Sequence, residues 1–147
     1  EDVEARGLPR IDVVLEQIQH DLFDLGADLA TPILANEQAG TRLRIVEKQT
    51  KRLEDLIDKF NEGLAPLSSF VLPGGSHLAS ALHQARAITR RAERIAVSLQ
   101  AARAAEVNQE AVKYLNRLSD LLFVLSRVAN DFGKRDVLWV PGANRNT

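Results

Sequence analysis

The sequence has no cysteine, which excludes disulfide bonds, thiolate metal sites and a cysteine nucleophile within its 147 residues. Its 19 basic and 20 acidic residues nearly cancel, and a net charge of −1 creates no bulk field that attracts nucleic acid or an anionic membrane. The apolar runs are only a few residues long, too short for a transmembrane helix. We therefore expect a cytoplasmic protein without a nucleic-acid or membrane partner.

Methionine is also absent, and the sequence begins at Glu1. Because translation starts at methionine, we expect these residues to be part of a longer chain whose upstream segment is missing here. A chain of this length with 45% hydrophobic residues is ordinary for one globular domain and is long enough to bury a core. We therefore expect residues 1–147 to form a single domain.

Apolar residues recur at helical spacing in four stretches of the chain, and no alternating strand pattern competes with them. The pattern predicts helices over residues 11–30, 42–62, 77–102 and 108–130. All five prolines lie outside these stretches, and Ser76 stands where a helix cap is expected. The sequence thus predicts an all-α fold, an up-and-down bundle with four long helices.

The fourth predicted helix is apolar on most sides, because Leu121, Phe123 and Val124 broaden the stripe formed by its other apolar residues. A helix of that kind usually lies at the centre of a bundle or at a subunit contact. The third predicted helix carries a stripe of its own, formed by Leu78, Ala81, Leu82, Ala85, Ile88, Ala92, Ile95 and Leu99.

Four arginines lie close together on the third predicted helix. Arg86, Arg90 and Arg94 follow one another at intervals of four residues, with Arg91 and Glu93 between them. Like charges at this spacing repel by a few tenths of a kcal/mol per pair, so a compensating partner is expected. Solvent and scattered carboxylates are one candidate. A polyanion such as a nucleotide triphosphate is the other, and Glu93 would then hold a magnesium ion that bridges the phosphates.

Two polar residues, Asn116 and Asp120, share one face of the apolar fourth helix. Polar groups buried without partners cost a few kcal/mol, so both need a contact. Asp120 pairs with an arginine of the third helix, or Asn116 binds a ligand, and these interpretations are compatible. Residues 73–76, before the third helix, are read as a loop and helix cap rather than an anion site. The three histidines are not spaced as metal ligands.

Four stretches resemble the PduO-type ATP:cob(I)alamin adenosyltransferases: LEQIQHDLFDLGADLATP at 15–32, FVLPGGSHLASALHQARAITRRAER at 70–94, YLNRLSDLLFVLSRVAN at 114–130 and DVLWVP at 136–141. The resemblance implies a ferritin-like bundle of five helices that assembles as a homotrimer with active sites between subunits. It also implies an enzyme that transfers the 5′-deoxyadenosyl group of ATP to the cobalt of cob(I)alamin, giving adenosylcobalamin and triphosphate.

The resemblance assigns residues to ATP through the motifs RRAER and YLNRLSD. Arg90, Arg91 and Arg94 match residues at the nucleotide, with Arg90 and Arg94 on the phosphates. Glu93 is implied to support the magnesium ion or the ribose, and Asn116 to contact the nucleotide.

The resemblance assigns three other residues to cobalamin. Phe70 matches an aromatic residue on the lower face of the corrin that helps to remove the lower axial ligand, which makes cob(II)alamin easier to reduce. Arg86 matches an arginine that pairs across the subunit interface and supports the cobalamin site, and Phe123 adds to the apolar wall. Phe70 and Arg90 are thus the implied catalytic residues.

Family members begin with a glycine-rich segment, roughly T-x-x-G-D-x-G-x-T, and a first helix that carries the acidic partner of the arginine at position 86. Neither is in this sequence, and we expect both to precede Glu1 in the full chain. The implied partners are a cobalamin reductant and an acceptor such as methylmalonyl-CoA mutase. The alternative functions are a carrier of adenosylcobalamin or a nucleotide sensor without turnover, and a purely structural helical oligomer.

Overall fold

A computed structural model describes residues 2–147 of the chain. It contains five α-helices: α1 (Asp2–Ala5), α2 (Ile11–Leu29), α3 (Glu47–Asn61), α4 (His77–Ala102) and α5 (Gln109–Val128). A single 3-10 turn at Ala104–Glu106 connects α4 to α5. Over the described residues there is no strand, only an isolated antiparallel bridge between Val71 and Leu138. The predicted all-α class and its four long helices are confirmed.

Contacts between helix ends establish the up-and-down order of the long helices. Asp28 near the end of α2 accepts a hydrogen bond from Asn108, which precedes α5. Ser76, which caps the start of α4 as predicted, donates its hydroxyl to the carbonyl of Ala129 just after α5. Helices α2 and α4 therefore run antiparallel to α5. Helix α3 is parallel to α5, since Ile45, two residues before α3, also contacts Asn108.

Helix α5 is the centre of the bundle, which is one of the two positions that its broad apolar surface predicted. Twelve of its 20 residues are buried, whereas α4 buries only four of its 26. The buried residues of α5 include Tyr114, whose hydroxyl donates to the buried carboxylate of Asp21 on α2 at 2.8 Å. Burial, and then this contact, raise the pKa of Tyr114. The helix that forms most of the core is therefore not the helix that presents the arginines.

The second long helix begins later than the periodicity predicted, at Glu47 instead of residue 42. The cause is the buried carboxylate of Asp28, which accepts from the backbone N–H of Ile45 at 2.8 Å and from Arg44 Nη1 at 2.9 Å. The same carboxylate accepts from Asn108 Nδ2 at 2.7 Å. Residues that reach back to α2 in this way are extended, because their N–H groups are not available to a helical turn.

The apolar stripe of α4 lies mostly on the surface. Of the leucines and isoleucines in the predicted stripe, Leu82 is buried, at 3% exposure, whereas Leu78, Ile88, Ile95 and Leu99 are between 39% and 61% exposed. Together with three alanines, these four exposed residues repeat at alternating intervals of three and four residues, the spacing of a helix seam. We call this set the α4 stripe: Leu78, Ala81, Ala85, Ile88, Ala92, Ile95 and Leu99.

We predict that Asp28→Ala strongly destabilises the fold. The substitution leaves Arg44, Asn108 and the Ile45 N–H without their buried acceptor, so we expect a loss of about 3 kcal/mol in the free energy of unfolding. Urea denaturation followed by circular dichroism measures it. The control is Asp55→Ala, which breaks an exposed ion pair with Lys51 and should leave the midpoint nearly unchanged. Equal midpoints for the two variants would contradict the central role of Asp28.

Candidate active site on helix α4

The arginines of α4 have no carboxylate partner in residues 2–147. Arg90, Arg91 and Arg94 are exposed, Arg86 is half-buried, and none of the four forms an ion pair within that part of the chain. Direct ion pairs with carboxylates of residues 2–147 therefore do not compensate these charges. The charge is left for solvent or for an anionic ligand.

Glu93 and Asn116, predicted to lie at one site, are in direct contact. Asn116 Nδ2 donates to Glu93 Oε2 at 2.9 Å, and Asn116 Oδ1 accepts from Arg117 Nη1 at 2.6 Å. Arg117 in turn pairs with Glu54 of α3, with 3.6 Å between the charged atoms. The amide of Asn116 thus has both ends occupied, and the carboxylate of Glu93 is held beside the three exposed arginines.

Asp120 does not form the predicted ion pair with an arginine of α4, as judged from the described residues. It stands exposed at the edge of a groove that it shares with Arg86. Burial, and next the charge of Arg90, lower the pKa of Arg86, while Asp120 acts in the opposite direction. The guanidinium of Arg86 lies over the ring of Phe123, 5.1 Å from its centroid, so an aromatic face takes the place of a carboxylate.

The groove beside Arg86 has a volume of about 810 Å³. Phe70, Arg86 and Phe123, the three residues that the resemblance assigns to cobalamin, all line it. Phe70 is 76% exposed, so its ring is accessible from solvent. The structure therefore brings together residues that lie 16 and 37 positions apart along the sequence.

The groove also contains Trp139, which lies in the DVLWVP stretch but was assigned no role from the sequence. The backbone N–H of Trp139 donates to the carbonyl of Phe70 at 2.8 Å, and Ser69 Oγ donates to the carbonyl of Trp139 at 2.6 Å. The two rings face each other with centroids 5.8 Å apart and planes tilted by 52°. A signal was present, since Trp139 is the only tryptophan of the chain.

A buried polar cluster at the end of α5 holds both segments of the groove in place. Arg127 Nε donates to Asp136 Oδ2 at 2.8 Å, and both side chains are at least nine-tenths buried. Asn130, fully buried, accepts from the backbone N–H of Ser76 at 2.9 Å and donates to the carbonyl of Gly74 at 2.9 Å. We refer to Arg127, Asn130 and Asp136 as the α5 knot. Sequence reasoning assigned none of them to the site.

Two backbone features allow the chain to pass this cluster. Gly75 has φ of +101°, and a Cβ at this position would collide with the amide of Asn130. Asp131 and Phe132 adopt φ of +54° and +51°, the left-handed region that residues other than glycine rarely enter. This tight reversal returns the chain to Asp136, which can then meet Arg127.

His83 lies behind the groove and is only 6% exposed. Its ring meets the edge of Phe123, with centroids 6.4 Å apart, and its Nε2 has no hydrogen-bond partner. Burial, and then the charge of Arg86, lower the pKa of His83, while Asp136 acts in the opposite direction. The imidazole is therefore a neutral part of the wall.

The described residues contain neither a metal-binding cluster nor a membrane-spanning helix. No three His, Cys, Asp or Glu side chains between residues 2 and 147 cluster to bind a metal ion. Over the same residues, no helix combines the length and apolarity needed to cross a lipid bilayer.

Comparison with known proteins identifies the family. The family model described as cobalamin adenosyltransferase matches residues 3–129. The chain belongs to the cobalamin adenosyltransferase family. A corrinoid adenosyltransferase of Mycobacterium tuberculosis is 56% identical over 132 residues, which cover 90% of this chain and 67% of that protein. A corrinoid adenosyltransferase of Bacillus subtilis is 43% identical over 124 residues, covering 84% of this chain and 61% of that protein.

Solved structures of adenosyltransferases share the fold. A variant PduO-type ATP:corrinoid adenosyltransferase from Lactobacillus reuteri, complexed with cobalamin and ATP, is 39% identical and matches with a TM-score of 0.76 over 91% of this chain and 75% of that one. A second variant of the same enzyme, complexed with ATP, matches with the same identity and TM-score over 92% and 77%. The resemblance seen in the sequence, the fold class and the assignment to a transferase enzyme are thus confirmed.

We predict that His83 makes this adenosyltransferase less stable in acid. An ordinary histidine of the unfolded chain has a pKa of 6.5, above that of buried His83. Below that pH the unfolded state binds a proton that the folded state does not, so the free energy of unfolding falls as the pH falls. Urea denaturation from about pH 7 to about pH 5 should show a shallower fall for His83→Leu.

The packing cost of that substitution is measured separately at about pH 8, where both states keep the imidazole neutral. A fall with pH that is as steep in His83→Leu as in the unsubstituted protein would contradict the assignment.

Proposed function

We propose that this chain transfers the 5′-deoxyadenosyl group of ATP to the cobalt of cob(I)alamin, giving adenosylcobalamin and triphosphate. The observation that carries the proposal is the adjacency of two surfaces on α4. A face of arginines that form no ion pair within residues 2–147 begins at Arg90, and an apolar aromatic groove ends at Arg86. One helical turn, about 6 Å, separates the two positions. An anionic nucleotide and a large apolar ring system can therefore meet there.

On the nucleotide side, Arg90 and Arg94 bind the phosphates and Arg91 adds to the positive field. Guanidinium groups form paired, charge-assisted hydrogen bonds to phosphate oxygens, and these arginines have no competing carboxylate among the described residues. Asn116 contacts the nucleotide in the same site and holds the carboxylate of Glu93 in place there.

The arginines matter most when the carbon–oxygen bond breaks. The electron pair on cobalt attacks the ribose C5′ of ATP, the new cobalt–carbon bond forms, and the C5′–oxygen electron pair leaves with the triphosphate. The nucleophile belongs to the substrate, so the chain needs to supply no side-chain nucleophile. Its residues hold the two substrates in line and stabilise the charge that develops on the leaving triphosphate.

Glu93 fits a magnesium ion that travels with ATP. Magnesium is commonly bound through one or two carboxylates and the substrate phosphates rather than by an all-protein cage. Glu93 is a single, half-buried carboxylate with Oε2 bonded to Asn116, among arginines that bind the same phosphates. The ion would neutralise phosphate charge, and Asn116 would keep the carboxylate aimed at it.

On the cobalamin side, Phe70 occupies the lower face of the corrin and excludes the lower axial ligand. A large apolar ring that is 76% exposed in the free protein is poised to be covered by a substrate. Arg86 and Phe123 form the facing wall. Arg86 also reaches across a subunit interface, where a carboxylate of the neighbouring subunit would supply the ion pair that Arg86 does not form within residues 2–147.

The assembly that we propose is a homotrimer with its sites between subunits. The α4 stripe supports this, because leucine and isoleucine side chains at seam spacing are normally covered by another helix. We further propose that a reductant supplies cob(I)alamin and that an acceptor enzyme such as methylmalonyl-CoA mutase takes the product, in the bacterial cytoplasm.

The deciding experiment is an anaerobic assay with ATP, magnesium and chemically reduced cobalamin, using the full chain. We expect ATP-dependent conversion of cob(I)alamin to adenosylcobalamin, followed by absorbance, above samples without protein or without ATP. Sedimentation in the same buffer reports the number of subunits. Binding of cobalamin without conversion would instead favour the alternative of a carrier or nucleotide sensor.

We predict that Arg90→Ala raises the KM for ATP about 10- to 100-fold, because it removes a charge-assisted hydrogen bond to phosphate. The sedimentation coefficient should not change. The matched control is Arg103→Ala near the end of the same helix, where the guanidinium already pairs with Glu106. Equal KM values for the Arg90 variant and the unsubstituted protein would remove Arg90 from the site.

We predict that Phe70→Ala spares ATP binding and impairs formation of four-coordinate cob(II)alamin, since the ring no longer excludes the lower ligand. The absorbance spectrum of cob(II)alamin bound to the ATP-loaded protein measures this. Leu72→Ala, a truncation in the same loop outside the groove, is the control. An unaltered spectrum in the Phe70 variant would contradict its role.

A further inference from the structure

The groove contains a second large aromatic ring whose role is open. Trp139 lines the groove, is 43% exposed and lies beside Phe70. Tilted rings at a centroid distance of 5.8 Å attract each other beyond the gain from buried area. Within the described residues, this is the one aromatic pair in which Phe70 takes part.

Hydrogen bonds on both sides of the aromatic pair join residues 69–72 to the tail, and we call this set of bonds the backbone clip. The bonds from Trp139 N to the Phe70 carbonyl and from Ser69 Oγ to the Trp139 carbonyl flank the ring position. Leu72 N donates to the Val137 carbonyl at 2.7 Å, next to the bridge between Val71 and Leu138. The tail thus fixes the backbone of residues 69–72, which are otherwise part of a long irregular connection.

The clip has a rigid base. Asp136 immediately precedes the clipped tail, and its buried carboxylate bonds to Arg127 of α5. Asn130 of the same knot holds Gly74 and Ser76 on the far side of the loop. Both segments that the clip joins, the loop before α4 and the tail, are therefore hydrogen-bonded to the C-terminal end of α5. These bonds fix the backbone, but they do not by themselves fix the side-chain rotamer of Phe70.

We propose that Trp139 is a positioning residue that selects the rotamer of Phe70 in which the ring lies in the groove. This rests on the proposed function, because Phe70 acts there on the lower face of cobalamin. Loss of the Trp139 ring leaves the backbone clip in place but allows the Phe70 ring to spend time outside the groove. Lower-ligand exclusion then becomes less complete, while the arginines that bind ATP are untouched.

The test compares Trp139→Ala, Trp139→Phe and Val140→Ala. Val140 lies in the same tail, is 63% exposed and does not line the groove, so it is the matched control. The main readout is the ratio of four- to five-coordinate cob(II)alamin on the ATP-loaded protein, from its absorbance spectrum. We expect Trp139→Ala to lower this ratio about two- to tenfold, the range that corresponds to one aromatic pair. Trp139→Phe should restore most of it, and Val140→Ala should leave it unchanged.

A second readout needs no cobalamin. Trp139 is the only tryptophan, so the tryptophan emission of the protein comes from this ring alone. We expect Phe70→Ala to shift its emission to longer wavelength, because the indole loses its cover, and Leu72→Ala to leave it unchanged. Circular dichroism confirms that each variant is folded.

Two results would overturn the proposal: a Trp139→Ala ratio equal to that of the unsubstituted protein, or an equal loss in Trp139→Ala and Val140→Ala. The ATP KM is expected to stay constant throughout. Turnover of the unsubstituted protein is measured in the same preparation. Turnover with an unchanged ratio removes only the role of Trp139, whereas absence of turnover removes the proposed function itself.

Discussion

The buried ion pair between Arg127 and Asp136 is the interaction on which the groove depends. A buried charge is costly unless it is paired, so each partner makes the other obligatory. The pair joins the end of α5 to the tail, and Asn130 beside it joins the same helix end to the loop before α4. Phe70 and Trp139, 69 positions apart, can face each other because both segments share this anchor.

Different helices of the bundle form the core and present the candidate site. Helix α5 supplies most of the core and binds α2 and α3 through buried polar contacts such as those of Tyr114 and Asn108. Helix α4 buries few residues, so its remaining faces are available for other work. One face carries the arginines and another the α4 stripe. A helix that contributed more to the core would have had to give up one of these surfaces.

Local patterns in the sequence predicted what is periodic, and they missed what depends on single long-range contacts. The bounds of α2, α4 and α5 followed from apolar spacing, and the unusual arginines were visible because like charges repeat on one helix face. The start of α3 was misplaced because Asp28, far along the chain, captures Arg44 and Ile45. No periodicity links Phe70 to Phe123, and only the family resemblance grouped them. Trp139 and the α5 knot remained unassigned, since a contact between two single residues produces no repeating pattern in the sequence.

The composition of the chain agrees with this kind of site. A reaction whose nucleophile is a reduced metal in the substrate needs no cysteine and no histidine cluster, and the chain has neither in its described residues. What such a reaction needs is a fixed distance between two bound substrates. Arg86 in the groove and Arg90, for which we propose nucleotide binding, stand one turn apart on one continuous helix, so the separation between them is set by helix geometry rather than by a loop. The other side of the groove depends on a long-range contact instead, since Phe70 in a loop meets Trp139 in the tail.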